Sequence, residues 1–241
     1  MKILKNLILA SVVSFSTVAL ASKPNDAKSN DYYANYYEDE GSLLFKIRGF
    51  YASTISKINS FSPSSPNPNT PPPSTLGTFG YGFDTATTIF VTNNIAAEIS
   101  LGFAFYKTKS SDLSMVAVAY GKTNAATVNK NQIFMFPVTF TAQYHIAPFG
   151  SIRPYVGCGL NGTYMYTRSH AIKASGGFGP VLQTGVDFVA KDDTLFTFDI
   201  KQYFLKSKVN FTKSFLRTNS DVKSKVTWNP LVISAGIGFK F

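Results

Sequence analysis

Of the 241 residues, 44% are hydrophobic and 15% aromatic, yet only 15% are charged, where an average soluble domain carries about 25%. The formal charge is +10, and the single cysteine, Cys158, excludes an internal disulfide framework. Basic charge alone suits nucleic acid, but an exported chain with this apolar content points to an anionic membrane surface instead, so no nucleic-acid partner is expected.

The chain opens with MKILKNLILASVVSFSTVALAS. Lys2 and Lys5 precede an uncharged apolar run that ends in Ala19-Leu20-Ala21. That layout predicts a secretory signal peptide over residues 1–21, cut before Ser22. Without it, 21 basic and 13 acidic residues leave a charge near +8. Residues 22–41 are polar and acidic, with four tyrosines, and read as a periplasmic N-terminal tail. Beyond residue 21 no apolar run reaches the ~18 residues of a spanning helix.

From residue 42 onward apolar and small or polar residues alternate with period two, the signature of strands with one face in an apolar medium. Phe45, Ile47 and Tyr51 oppose Lys46, Arg48 and Phe50; Tyr81, Phe83 and Ile89 oppose Gly82, Asp84 and Ala86. Ile95, Ile99, Leu101 and Phe103 oppose Glu98, Ser100 and Gly102, and Phe134, Phe136, Val138 and Phe140 oppose Thr139, Thr141, Gln143 and His145. Val156, Cys158 and Leu160 then oppose Arg153 and Asn161; Leu182 and Phe188 oppose Gln183 and Asp187; Phe196, Phe198 and Ile200 oppose Asp199 and Lys201. The last such segment, ISAGIGFKF, sets Ile233, Ile237, Phe239 and Phe241 against Ser234, Gly236, Gly238 and Lys240.

A soluble sandwich or a lipocalin-like barrel would turn the apolar rows inward, but the opposite faces are glycine, alanine, serine and threonine, which suit a cramped interior. The connections also alternate in length. Long ones at about 53–78, 109–131, 167–175 and 207–225 are separated by short ones at 92–94, 147–151 and 191–193. The first long one holds six prolines between Ser62 and Thr75, which cannot donate to a ladder. These features predict an all-β fold, a transmembrane eight-stranded antiparallel up-and-down β-barrel over residues 42–241, with the long loops extracellular and lipid against the apolar rows. Its expected location is the outer membrane of a Gram-negative cell.

Inward positions then divide by depth. Lys46, Arg48, Glu98, Gln143, His145, Arg153, Asp187, Asp199 and Lys201, with Asp84, form a polar floor in which buried charges must pair. Phe50, Tyr106, Ile133, Met135, Val181 and Leu205 line the outer half. Two readings stay open for that half: a vestibule for a hydrophobic solute, or a packed core. Pro137 and Pro180 each remove a ladder donor, so a side opening in the fourth or sixth strand is possible. Thirteen bases against Asp112 and Asp221 fall on the outward side. Lys107, Lys206 and Lys225, near the membrane rim, are candidate contacts for lipopolysaccharide phosphates.

No Cys/His cluster has metal spacing, and no cofactor or metal site is expected. A lipid-modifying enzyme would need a nucleophile and a base; only His170 with Ser169 or Ser175 offers them, as neighbours in a polar loop, and no catalytic residue is assigned. An adhesin presenting its long loops is the remaining alternative.

Five stretches also resemble a known family. RPYVGCGLN (153–161), GPVLQTGVDF (179–188), TNNIAAEI (92–99), NPLVISAGIGFKF (229–241) and TLGTFGYGF (75–83) are similar, in the right order, to the OmpW/AlkL family of outer-membrane proteins. Phe178 and Leu231 depart from it, standing where relatives often carry tryptophan. The resemblance implies an eight-stranded barrel with a narrow, largely apolar lumen, and uptake of small hydrophobic molecules with lateral release into the membrane. The terminal Phe241 resembles the signal read by the outer-membrane assembly machinery.

Overall fold

The computed structural model describes residues 41–62, 74–120, 132–146, 152–168, 172–174, 176–190, 194–211 and 222–241. The expected signal peptide, the expected tail up to residue 40, the proline cluster at 63–73, and Ser169, His170 and Ser175 lie outside them.

Among the described residues there are eleven strands and one helix: β1 Leu43–Ser62, β2 Thr75–Phe90, β3 Ile95–Thr108, α1 Ser110–Ala119, β4 Gln132–His145, β5 Ile152–Thr167, β6 Ile172–Ala174, β7 Gly177–Val189, β8 Thr194–Tyr203, β9 Leu205–Phe211, β10 Val222–Trp228 and β11 Leu231–Lys240. Every pairing is antiparallel, and the ring β1-β2-β3-β4-β5-β7-β8-β11 closes through β1 and β11. β8 and β9 are one wall interrupted at Phe204, and β10 and β11 one wall interrupted at Asn229 and Pro230. β1 follows both parts of the last wall, pairing with β11 over Leu44–Ser53 and with β10 over Lys57–Ser62. The barrel therefore has eight walls. β6 is a short addition beside β9.

The alternation sets which way each side chain points. Ile47, Phe83, Phe140, Leu160, Phe198 and Ile233 are exposed on the outside, while Lys46, Arg48, Glu98, Asp187, Asp199 and Lys201 are buried within. In water such an exterior would be untenable; in hydrocarbon it is the favourable one, and closure leaves no strand edge unpaired.

The walls are longer than the alternation of apolar rows indicates. β1 runs through Ser62 and β2 begins at Thr75, so much of the expected loop at 53–78 is strand. β9 and β10 take up both ends of the expected loop at 207–225, α1 lies within 109–131, and β6 within 167–175. The reason is a change of solvent. β1 has 20 residues, about twice the ~9–11 that a tilted strand needs to cross a bilayer. Above the bilayer the outer face meets water, so the polarity of the two faces inverts while the period is kept. Lys206, Lys208, Lys223 and Lys225 point out, and Leu205, Val209, Phe211, Val222, Val226 and Trp228 point in.

Candidate functional site: a layered lumen

The lumen is stacked in layers from the short-turn end upward. Lowest is a small apolar cluster of Leu44, Phe90, Ala96 and Leu195, which the division into polar floor and apolar outer half did not contain. The His145 ring stacks on Tyr155 at 5.0 Å and packs against Phe90 at 4.7 Å, joining this layer to the one above.

The second layer is an ion network. The Arg48 guanidinium donates to both Asp84 carboxylate oxygens at 2.8 and 2.9 Å and to Glu98 Oε1 at 3.3 Å. Lys201 Nζ also reaches Glu98 Oε1 at 3.3 Å and lies 3.7 Å from Asp84 and 3.9 Å from Asp199. Lys46 pairs with Asp187 at 2.8 Å and sits 4.8 Å from the centre of the Tyr155 ring. Arg153 is buried directly across the β5–β7 ladder from Asp187. Charges this deep persist only where partners and hydrogen bonds compensate their lost hydration. Those bonds come from neutral groups. Gln183 donates to Asp199 at 2.7 Å and to Glu98 at 3.2 Å, and its carbonyl accepts from Thr141 at 2.8 Å and from Gln143 at 3.2 Å. Tyr155 donates to Asp199 at 2.9 Å, Thr88 donates to Glu98 at 3.1 Å, and Gln143 Oε1 lies 3.1 Å from His145 Nε2. Gly238 leaves room for this layer, since a Cβ there would lie 3.1 Å from Lys46 Cγ.

All nine residues assigned to the floor by sequence are buried in this region, and Asp84 is at its centre. Gln183 and Tyr155 were not singled out. Their signal is the period-two parity, the same that places Gln143 and His145 inward.

The third layer is apolar. Tyr106, Ile133, Met135, Val181 and Leu205 belong to one cluster with Tyr203, Val232 and Trp228, and Phe50 packs against it. Within it lies a cavity of about 30 Å³, bounded by Phe50, Tyr106, Met135, Leu205 and Val232, by Gly102, Pro137 and Pro230 in the wall, and by Asp84 and Ser100 below. That volume holds about one water molecule. Above it α1 forms a cap, with Val116, Ala119 and the following Tyr120 buried in the same cluster. The cap is fastened at its start: Gly77 N donates to Asp112 Oδ2 at 2.7 Å, and Lys109 N to Gly77 O at 3.0 Å. Asp112 in the first turn also suits the helix dipole. Nothing in the period-two analysis marks this helix, because its 10 residues fall in a segment that reads as loop.

The wall around the chamber is interrupted twice. Between Leu101/Val138 and Ala104/Met135 the β3–β4 register has no pairs, and Pro137 occupies the gap. Phe103, Phe105, Phe134 and Phe136 cover that seam from outside, with centroids 4.7–5.1 Å apart in the three closest pairs. The second interruption is at Phe204 and at Asn229–Pro230. There the Gln202 amide donates to the Tyr203, Asn229 and Pro230 carbonyls at 3.1, 3.1 and 3.4 Å. Pro180, the other proline named from sequence, faces outward, and its carbonyl accepts from Phe204 N at 3.0 Å.

The model of the OmpW family matches residues 75–241. The chain belongs to the OmpW family. A Rickettsia typhi relative, named as a candidate outer membrane protein, is 44% identical over 246 residues, spanning 99% of this chain and 100% of its own. Among solved structures, OprG from Pseudomonas aeruginosa is similar with a TM-score of 0.63 at 16% identity, covering 84% of this chain and 96% of its own. AlkL in lipid bilayers is similar at 0.57 and 18%, covering 91% and 96%. At these identities the two structures speak to the fold, a closed antiparallel outer-membrane barrel. As an OmpW-family barrel, the protein resides in the outer membrane.

Proposed function

We propose that this OmpW-family barrel takes up small hydrophobic molecules from outside and releases them sideways into the membrane. The observation that carries the proposal is the apolar chamber closed below by the ion network and bounded by a wall whose ladder is broken at chamber level. A solute moving down the axis has to part buried ion pairs, and losing one partner of such a pair costs about 3–5 kcal/mol. A solute leaving through the wall meets positions that already lack ladder bonds. The seam at Pro230 is the better exit, since only the Gln202 amide and one backbone bond, from Tyr203 N to Pro230 O at 3.1 Å, span it among the described residues, while four phenylalanines cover the seam at Pro137.

The test is transfer of small apolar dyes and of small sugars into liposomes carrying the refolded protein, with lipopolysaccharide in the outer leaflet to slow passive crossing. Apolar dyes are expected to cross faster than in protein-free liposomes, and sugars are not. Acceleration of neither class would overturn the proposal in favour of a structural or adhesive barrel.

The cap adds a second expected result. The cavity holds about 30 Å³, so loading requires α1 to move. Val116→Asp places a carboxylate among apolar side chains, where it cannot stay without several kcal/mol of cost, and the cap lifts. Stopped-flow uptake of an apolar dye should then speed severalfold with thermal unfolding of the barrel unchanged. An unchanged rate, with proteolysis showing α1 released, would mean that the cap does not control loading.

A further inference from the structure

We propose that the outer face of the β9–β10 hairpin is a binding site for the phosphorylated, acylated headgroup of lipopolysaccharide. Lys206, Lys208, Lys223 and Lys225 are all exposed on this one face. Lys208 stands directly opposite Lys225 in the ladder, and Lys206 opposite Thr227, which in turn faces Lys57 of β1. Among the described residues no aspartate or glutamate occupies an outward position on β9, β10 or the upper part of β1. Like charges directly across a ladder weaken it, and a polyanion between them reverses the sign of that contribution.

The face is also shaped. Lys206, Lys208, Lys225, Asn59 and Thr227 line an open groove of about 420 Å³ that extends to Gly176. A register shift in β1 between Ile58 and Ser60 lies at Asn59, whose amide donates to Thr227 Oγ1 at 2.8 Å. With its lone pair engaged in this way, the Thr227 hydroxyl keeps its own proton to donate. A phosphate in the groove would thus meet ammonium groups and a hydroxyl together, the charge-assisted arrangement that favours phosphate oxygens.

What selects a lipid over a free anion is the neighbouring surface. Phe178 is directly opposite Lys206 in the sheet and is exposed, and Phe204 and Leu231 are exposed immediately below. Within one residue step the exterior passes from hydrocarbon-loving to cationic. Only a ligand with acyl chains attached to phosphate matches both sides of that boundary.

The experiment measures binding of purified lipopolysaccharide to the refolded full barrel in nanodiscs. Three further arms use enzymatically dephosphorylated lipopolysaccharide, inorganic phosphate, and a phosphorylated polysaccharide without acyl chains. Lys206→Gln with Lys225→Gln should weaken binding of intact lipopolysaccharide about tenfold or more. Arg168→Gln, exposed at the end of β5 on another part of the barrel, should change it less than about twofold, and dephosphorylation should act like the double variant. A gel-shift assay of folded barrel checks that each variant is native; Lys206 and Lys225 are both exposed. Equal losses for Arg168→Gln and for the double variant would overturn the site in favour of diffuse attraction. Binding of the non-acylated polymer or of phosphate as tight as that of lipopolysaccharide would overturn the lipid assignment.

Discussion

Arg48→Met is expected to cost the folded barrel about 3–5 kcal/mol. The guanidinium is fully buried and holds Asp84 and Glu98 at 2.8–3.3 Å, with Asp199 at 3.9 Å. Methionine fills a similar volume, so the loss is one of charge more than of packing. Three carboxylates would be left around Lys201. Their options are to remain as uncompensated anions or to take up protons, and either raises the free energy of the native state. Urea unfolding in lipid vesicles measures the change, with the single tryptophan, Trp228, as reporter. Adding Asp84→Asn should recover part of the loss, since it removes one of the stranded charges; that coupling is what separates an electrostatic cause from a steric one. A loss below about 1 kcal/mol, the range of exposed ion pairs, would mean that water reaches the network. The floor would then be no barrier to axial passage.

Met135→Arg is expected to reduce apolar solute transfer to the rate of protein-free liposomes. Met135 is buried, lines the chamber cavity and lies across from Ala104 on one side and Met165 on the other. An arginine there has about 30 Å³ to enter, far less than its side chain needs, and its charge can be hydrated only by turning toward the mouth. It therefore occupies the path of the solute and makes the chamber polar at once. Met135→Leu, similar in volume and apolar, should retain transfer. Transfer surviving in a folded Met135→Arg barrel would show that solute does not pass through the chamber, whatever the protein otherwise does.

The membrane-embedded part of the fold was legible in the sequence because hydrocarbon enforces one rule on every wall. From Phe45 to Phe239, apolar residues of one parity face lipid and the others face the lumen. The parity placed Lys46, Arg48, Asp84, Glu98, Asp199 and Lys201 on the inside, and the need to pair charges brought them together. The same rule hid the upper walls. In KSKVNF and VKSKVTW the alternation is just as regular, but lysine is outside and valine inside, so a search for lipid-facing apolar rows reads them as loop. Phe204 and Leu205 mark the crossover: adjacent residues, both apolar, one exposed on the outside and the other buried in the lumen. The cap escaped for another reason. Val116, Ala119 and Tyr120 are buried by the barrel mouth, and no local pattern reveals a surface supplied by distant walls.

The ion network also links the two ends of the chain in time. Lys46 and Arg48 belong to the first wall, and Asp187 and Asp199 to late ones; Lys46 and Asp187 are 141 positions apart. Contacts at such separation form late, because the intervening chain must be ordered first. Until β1 meets β11, Asp187 lacks Lys46 and Asp199 lacks Arg48. An unclosed sheet is therefore penalised by stranded charge as well as by a free edge, and the final seam is sealed from inside the barrel.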